Sequence, residues 1–367
     1  MPALAGTAAL VLTATLAACS GGSSTTSPSL ASGATPVPTT PVSASQTLSE
    51  TGSSLMAPLF SGWRSAYHSQ FPQVTLRTAT SSSGTGIMSA ATDRTDIGAS
   101  DAYLSPADVT KYTDLVNIPL AVAALMVIYD VPSLSPSTHL KLNGTVLAQI
   151  FAGKITSWND PAIKRLNPGV SLPGSAIVLV HRSDSSGSTF LFTSYLNAQD
   201  PAGWNSSLIG TKVAWPQQPG EMGASGSSMM ISTVHAAPGS IGYVGVSYLT
   251  TVTQDHEGEA ALGNSAGNYV LPAASTIQAA LASFTDTPAN EAISLINGSA
   301  AQAYPIINYE YAIVNTSQPS VTLAQDLRAF LSWAINAGTA QLAKVNFQPL
   351  PPSTAVLSQA QIAQIRG

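Results

Sequence analysis

Short apolar runs alternate with amphipathic stretches along residues 47–367, a pattern that predicts an α/β fold. Three places share one grammar: a strand-like run, then a cluster of Ser and Gly, then a helical stretch. In the first, Gln46-Thr47-Leu48-Ser49 runs into Gly52-Ser53-Ser54, and Leu55, Leu59, Trp63 and Tyr67 follow as one helical stripe. In the second, Val74-Thr75-Leu76 leads to SSSGTG at residues 81–86, then IMSAAT. In the third, IVLV at 177–180 precedes Arg182 to Ser188 and then TFLFTSYL. Each junction delivers Ser, a favoured N-cap, and Gly, which admits close backbone approach, to the first turn of a helix. Free N–H groups at such a turn, with the positive end of the helix dipole, suit an anion. None has the spacing GxxxxGK[ST], so a mononucleotide is not indicated.

A different pattern precedes residue 47. The apolar run Ala3–Ala18 ends in Leu16-Ala17-Ala18-Cys19, with small residues where a secretory signal peptide is cleaved. No Lys or Arg precedes the run, a departure from the usual positive start. The tetrapeptide matches the lipobox of bacterial lipoproteins, in which the cysteine is lipidated. Residues 1–18 are therefore expected to be a signal peptide, and 19–46 a lipidated Cys19 with a flexible tether. Residues 20–46 carry no charge and consist mostly of Ser, Thr and Pro, too little apolar surface to offset ordering entropy. Those residues reach about 90 Å fully extended and about 30 Å as a coil.

Composition narrows the partners. Across 367 residues, 44% are hydrophobic and 8% charged, and the net charge is −5. There is no basic footprint, so nucleic acid is not an expected partner. One cysteine excludes an intramolecular disulfide. An anion would have to be held by local donors and not by bulk charge. Against so uncharged a background, HRSDSSGSTF at 181–190 stands out. Arg182, alone, could be an ordinary surface residue. Placed after a strand at the head of a polar loop, its planar fork suits two oxygens of a tetrahedral anion. Asp184 then reads as its orienting partner, or as a charge at a helix start. Asp101 ends the short strand-like stretch Thr95–Asp101, where open α/β sheets place ligands. Ser105, with Pro106 after it, takes the helix N-cap that would otherwise explain Asp101.

In order along the chain, the fragments TGSSLMAPLFSGW, SSSGTGI, DIGASDAYLS, LNGTVLAQIFAGKITSWNDPAIKRLNPG, LPG, HRSDSSGSTFLFTSYL, GSIGYVGVSYL and YPIINYEYAIV resemble the PstS family. These are the phosphate-binding proteins of phosphate ABC transporters, and the likeness runs from about residue 48 to about 350. It looks closest to lipid-anchored actinobacterial members. The resemblance implies a two-lobed type II periplasmic-binding-protein fold with one phosphate closed between the lobes. It implies no enzymatic activity, no cofactor and no metal. It puts phosphate ligands at Ser54, the Leu55 backbone, Ser83, Asp101, Arg182, Ser186, Gly187 and Ser188, with Asp184 in support. Ser54 and Ser188 stand where many members have Thr, and Leu55 where many have Phe. One lobe is expected over 47–122 plus 303–367 and the other over 123–302, joined by crossings in Ile118–Tyr129 and Tyr304–Val314. Both runs also suit plain buried parallel strands. The implied protein is an extracytoplasmic monomer, anchored to the cell membrane by lipid and delivering phosphate to the permease of an importer.

Rival classes have less to stand on. A binder of sulfate, molybdate or a phosphonate leaves Asp101 without a role. A secreted hydrolase finds no HExxH, no GxSxG and only His181 beside the Ser-rich loop. A surface adhesin leaves the three junctions unexplained. The five Trp are expected to pack, and Gln217–Met230, rich in Gly, Ser and Met, reads as a loop.

Overall fold

In the computed structural model, which describes Val37 and residues 39–367, the chain runs β1 (Gln46–Gly52), α1 (Ala57–Gln70), β2 (Val74–Thr80), α2 (Ser83–Ala91) and β3 (Ile97–Ser100). The short α3 (Pro106–Lys111) then precedes the long strand β4 (Leu115–Tyr129). Next come β5 (Lys141–Leu142), α4 (Gly144–Phe151), α5 (Pro161–Leu166), β6 (Val178–Arg182) and α6 (Gly187–Gln199). They are followed by β7 (Met222–Ala224), α7 (Gly226–Ala236), β8 (Ser240–Gly245) and α8 (Leu249–Gln254). Three short strands, β9 (Gly258–Glu259), β10 (Ala261–Gly263) and β11 (Tyr269–Val270), lead to α9 (Ala274–Leu281). The chain closes with β12 (Ile307–Asn315), α10 (Val321–Ile335) and α11 (Pro352–Ile362). Cys19 and the expected signal peptide lie outside the described residues.

Nine strands form one sheet in the order β2-β1-β3-β12-β4-β8-β6-β7, with β9 added on β4. β4 decides how that sheet is divided. Its residues from Leu115 to Ala124 pair antiparallel with β12, and those from Leu125 to Tyr129 pair antiparallel with β8. A single strand thus serves two halves of the sheet and changes partner midway. Its sequence, LVNIPLAVAALMVIY, is apolar nearly throughout because both faces are covered, and all but Val116 are buried. The parallel-strand alternative for the two long apolar runs is thereby corrected: β4 and β12 are antiparallel. Apolar runs without alternation carry no information on pairing direction.

Each half has its own aromatic core. In the first, Trp63 meets Phe60 edge-on at 5.3 Å and donates its indole N–H to the Gly338 carbonyl at 2.9 Å. Leu59, Trp63 and Tyr67 of the expected stripe are fully buried on α1. In the second, Phe192 stacks on Tyr243 at 4.6 Å, and Trp158 donates to the Gly239 carbonyl at 2.8 Å. Such pairs add about 0.5–1.5 kcal/mol beyond the area they bury. All five Trp pack, as expected.

Upstream of β1, the main chain of Val42 donates to Asp326 Oδ1 at 2.7 Å, so the chain is held against the body before the expected tether end at Gln46. Gln217–Met230 is not wholly the expected loop: β7 lies within it and α7 begins within it. A three-residue strand, MGA, has no apolar run to announce it. Among the described residues no helix is long and apolar enough to cross a membrane.

Candidate functional site

At the first junction, β1 ends at Gly52, whose φ of +150° and approach to the Ala99 carbonyl leave no room for a Cβ. The next residue, Ser53, accepts the Leu55 N–H at 3.1 Å and the Met56 N–H at 3.4 Å. It also donates its hydroxyl to Asp101 Oδ1. Ser54 points elsewhere: its Oγ accepts the Ser227 N–H at 3.0 Å and lies 2.9 Å from the Ser227 hydroxyl. The carbonyls of Ser54 and Leu55 accept the Tyr248 and Ser247 hydroxyls at 2.9 and 2.7 Å.

At the second junction, Ser82 caps α2 through the Thr85 N–H, and Ser83 Oγ accepts the Asp101 N–H at 3.2 Å. The Gly84 N–H crosses to the third junction, donating to the Ser185 carbonyl at 2.9 Å.

At the third, β6 ends on Arg182, which is 5% exposed. Its Nε and Nη2 donate to the two oxygens of Asp184 at 2.6 and 2.5 Å, a bidentate pair. Among the described residues two of the five guanidinium donors are used and three remain. Ser186 caps α6 through the Thr189 N–H. Ser188 donates to Asp101 Oδ2 at 2.9 Å. Gly187 sits so close that a Cβ there would lie 2.6 Å from Ser83 Oγ and 2.7 Å from Asp101 Cβ.

Asp101 is where the junctions converge. Its carboxylate is shared by Ser53 of the first and Ser188 of the third, and its N–H by Ser83 of the second. Burial pushes its carboxyl above the usual range, opposed by the Ser53 and Ser188 hydroxyls and then by Arg182. The structure thus brings Ser83, Asp101, Gly187 and Ser188 into direct contact, with the Arg182–Asp184 pair acting on Asp101 from nearby. Ser54 and Leu55 flank them through Ser53, and Ser186 holds the start of α6. A cleft of about 570 Å³ borders the cluster, lined in part by Gly84, Ala102 and Ser185.

Two residues escaped the sequence. Ser53 was passed over for its neighbour Ser54. Ser227 belongs to a fourth strand-to-helix junction, where Ser225-Gly226-Ser227 opens α7 with Gly226 at φ +77°. The same Ser/Gly grammar was present there in GASGSS, before the apolar MMI.

Several relatives are similar to this chain over most of its length. Residues 35–337 match the PBP superfamily domain. The phosphate-binding protein PstS of Xylella fastidiosa is 34% identical over 323 residues, covering 86% of this chain and 85% of that one. PstS 3 of Mycobacterium leprae is 30% identical over 321 residues, covering 84% of each. Among solved structures, the periplasmic phosphate-binding protein PfluDING superposes with a TM-score of 0.70 at 20% identity, covering 85% of this chain and 93% of that one. A phosphate-binding protein from Stenotrophomonas maltophilia gives a TM-score of 0.65 at 21% identity, covering 86% and 93%. The architecture is therefore the two-lobed periplasmic-binding fold, and with that fold, those relatives and helix starts gathered about one buried acid, the chain belongs to the PstS family of phosphate-binding proteins.

Proposed function

We propose that this protein captures inorganic phosphate outside the cytoplasm and delivers it to the permease of an ABC importer. The observation that carries the proposal is Asp101, a buried carboxylate held by hydroxyls from separate helix starts within the field of Arg182. A carboxylate facing an anion is repulsive unless the guest brings a proton. Phosphate at neutral pH has one, and sulfate does not. Sulfate would leave the Asp101 acceptor that faces the guest without a donor, at a cost of about 1–3 kcal/mol or more because charge is involved. This is selectivity through an unsatisfied group. Titration of phosphate-stripped protein with phosphate, arsenate and sulfate tests it. Phosphate and arsenate should bind and sulfate should not; equal binding of sulfate would refute the assignment. In Asp101→Asn the amide can donate to sulfate, and the preference for phosphate over sulfate should shrink by about tenfold or more. An unchanged preference in a competition titration would dispose of that role.

The lobes in this proposal are 47–122 plus 303–367 and 123–302, closing by a hinge on the bound anion. The change of partner along β4, between Ala124 and Leu125, supports a division there. Ser54, the Leu55 N–H, Ser83, Asp101, Arg182, Ser186, Gly187 and Ser188 are the proposed ligand groups. Gly187→Ala separates closure from folding. Alanine suits the first turn of α6 better than glycine does, yet its Cβ meets Ser83 and Asp101 across the cleft. Phosphate binding should weaken about tenfold or more, with the melting temperature of ligand-free protein unchanged. Full affinity in this variant would show that the two junctions need not close on each other.

A lipid on Cys19 would hold the protein, as a monomer, at the membrane. Hydrolysis finds little support in the site. His181 stacks on Trp215 at 5.3 Å with its Nδ1 3.2 Å from the Arg182 carbonyl, and among the described residues no serine hydroxyl hydrogen-bonds its ring.

A further inference from the structure

Glu310 is a fully buried acid in the middle of the apolar strand β12, and nothing in the proposed ligand set uses it. β12 runs antiparallel to β3 with Tyr311 opposite Ser100, so one step further along sets Glu310 against Asp101. The pairing of β12 with β4 slips between Glu310 and Tyr311, which face Ala121 and Pro119. Irregularities of this kind re-aim a side chain. Asn308, on the same face of β12, donates its amide to the Asp101 carbonyl and ties the two segments together. Among the described residues neither Glu310 oxygen has a hydrogen-bond partner, and the register sets its carboxyl against Asp101, whose charge bears on it.

Two carboxyl groups in such contact, out of water, cannot both be ionised. One proton lies between them. Building on the phosphate assignment, we propose that Glu310 is a positioning residue for Asp101, holding that proton against the carboxylate from behind so that Asp101 stays an acceptor for the hydroxyl of bound phosphate. The lone pairs close the count. A carboxylate has four acceptor sites. Ser53 and Ser188 take one on each oxygen, leaving one for Glu310 and one for the guest. The direction of the proton follows from the surroundings. Burial first, then the charge and hydrogen bond of Asp101, hold the Glu310 carboxyl well above its ordinary range. Burial raises Asp101 too, but there the Ser53 and Ser188 hydroxyls, then Arg182 and the Glu310 contact, oppose it. Beyond Asp101 stand Arg182, paired with Asp184, and Tyr248; no Lys or Arg among the described residues bears on Glu310 itself.

Two variants test this, with phosphate affinity measured between about pH 6 and pH 10 and sulfate competition at pH 7. Glu310→Gln keeps a donor to Asp101 but cannot lose a proton. Its affinity at pH 7 should stay within about threefold of wild type. At alkaline pH the wild type should weaken by about tenfold per pH unit once the ligand-free pair gives up its proton. The Gln variant should hold its affinity there. Glu310→Leu removes the donor, so Asp101 takes the proton itself and sulfate rejection should relax by about tenfold, with phosphate still bound. Identical pH profiles for wild type and Glu310→Gln would overturn the proposal. So would unchanged sulfate rejection in a folded Glu310→Leu protein. Absence of phosphate binding by the wild type would instead overturn the phosphate assignment beneath it.

Discussion

Arg182→Ala should weaken phosphate binding by at least about 100-fold, measured by calorimetric titration of phosphate-stripped protein at pH 7. Asp184 takes Nε and one Nη2 donor of the guanidinium and fixes its plane, leaving three N–H donors without a partner among the described residues, on a cation close enough to act on Asp101. Hydrogen bonds to a charged group contribute about 1.5–3 kcal/mol each, so two lost bonds already correspond to a factor of 10² or more. A second cost comes from Asp184. Its side chain is only 16% exposed, and without the arginine its charge stands unpaired beside an incoming anion. Arg182→Lys keeps the charge and loses the fork, and should fall between wild type and alanine. Adding Asp184→Asn to Arg182→Ala should recover part of the loss by removing that second charge. An Arg182→Ala protein within threefold of wild type would remove the arginine from the site.

How far the chain disclosed this arrangement depends on the range over which each feature is encoded. The three junctions were legible because Ser, Gly and the periodic stripe after them lie within about fifteen residues of one another. Ser82, Ser186 and Ser105 cap their helices as local chemistry dictates. The fourth junction hides behind a strand of three residues, too short to form a run, and so Ser227 was lost with it. β4 and β12 were recognisable as unusual apolar runs, but not their antiparallel pairing. That pairing is fixed by contacts some 190 residues apart in sequence, such as Ile307 with Ala124.

The acids separate the same way. Asp101 and Asp184 were found because each follows a visible local signal, a strand end and an arginine. Ser53 and Glu310 act through residues 48 and 209 positions away from them. A charged residue inside YPIINYEYAIV is itself a signal, since a buried acid without a partner is costly. Only the register of β12 on β3 says that its partner is Asp101.

Glu310 is one of several buried acids, and together they give the ligand-free protein an acid-shifted stability optimum. Its melting temperature should be highest near pH 5 and fall by about 5 °C or more by pH 8.5. Burial pushes the carboxyls of Glu50, Glu257 and Glu291 up to about 8, and that of Glu259 up to about 7, from an ordinary 4.5. Neighbouring charges from Asp255 and Asp130 add to the rise at Glu257, and the Ser358 hydroxyl opposes it at Glu291. Both Glu257 oxygens, and one each on Glu259 and Glu291, find no hydrogen-bond donor among the described residues. Between about pH 4.5 and 8 the unfolded chain gives up these protons while the folded chain keeps them. The folded state then binds more protons, and stability falls as pH rises through that window, by at most about 1.4 kcal/mol per pH unit for each carboxyl. Below about pH 4.5 both states are protonated and the contribution is complete. Glu291→Gln isolates one member: its amide oxygen can still accept from Ser358, as Glu291 Oε1 does at 2.9 Å, but it has no proton to release. That variant should show a shallower decline than wild type, by one group's share, with the difference growing from pH 5 to pH 8. A wild-type melting temperature that stays flat or climbs across this range would mean that these carboxyls ionise in the folded protein as freely as in water.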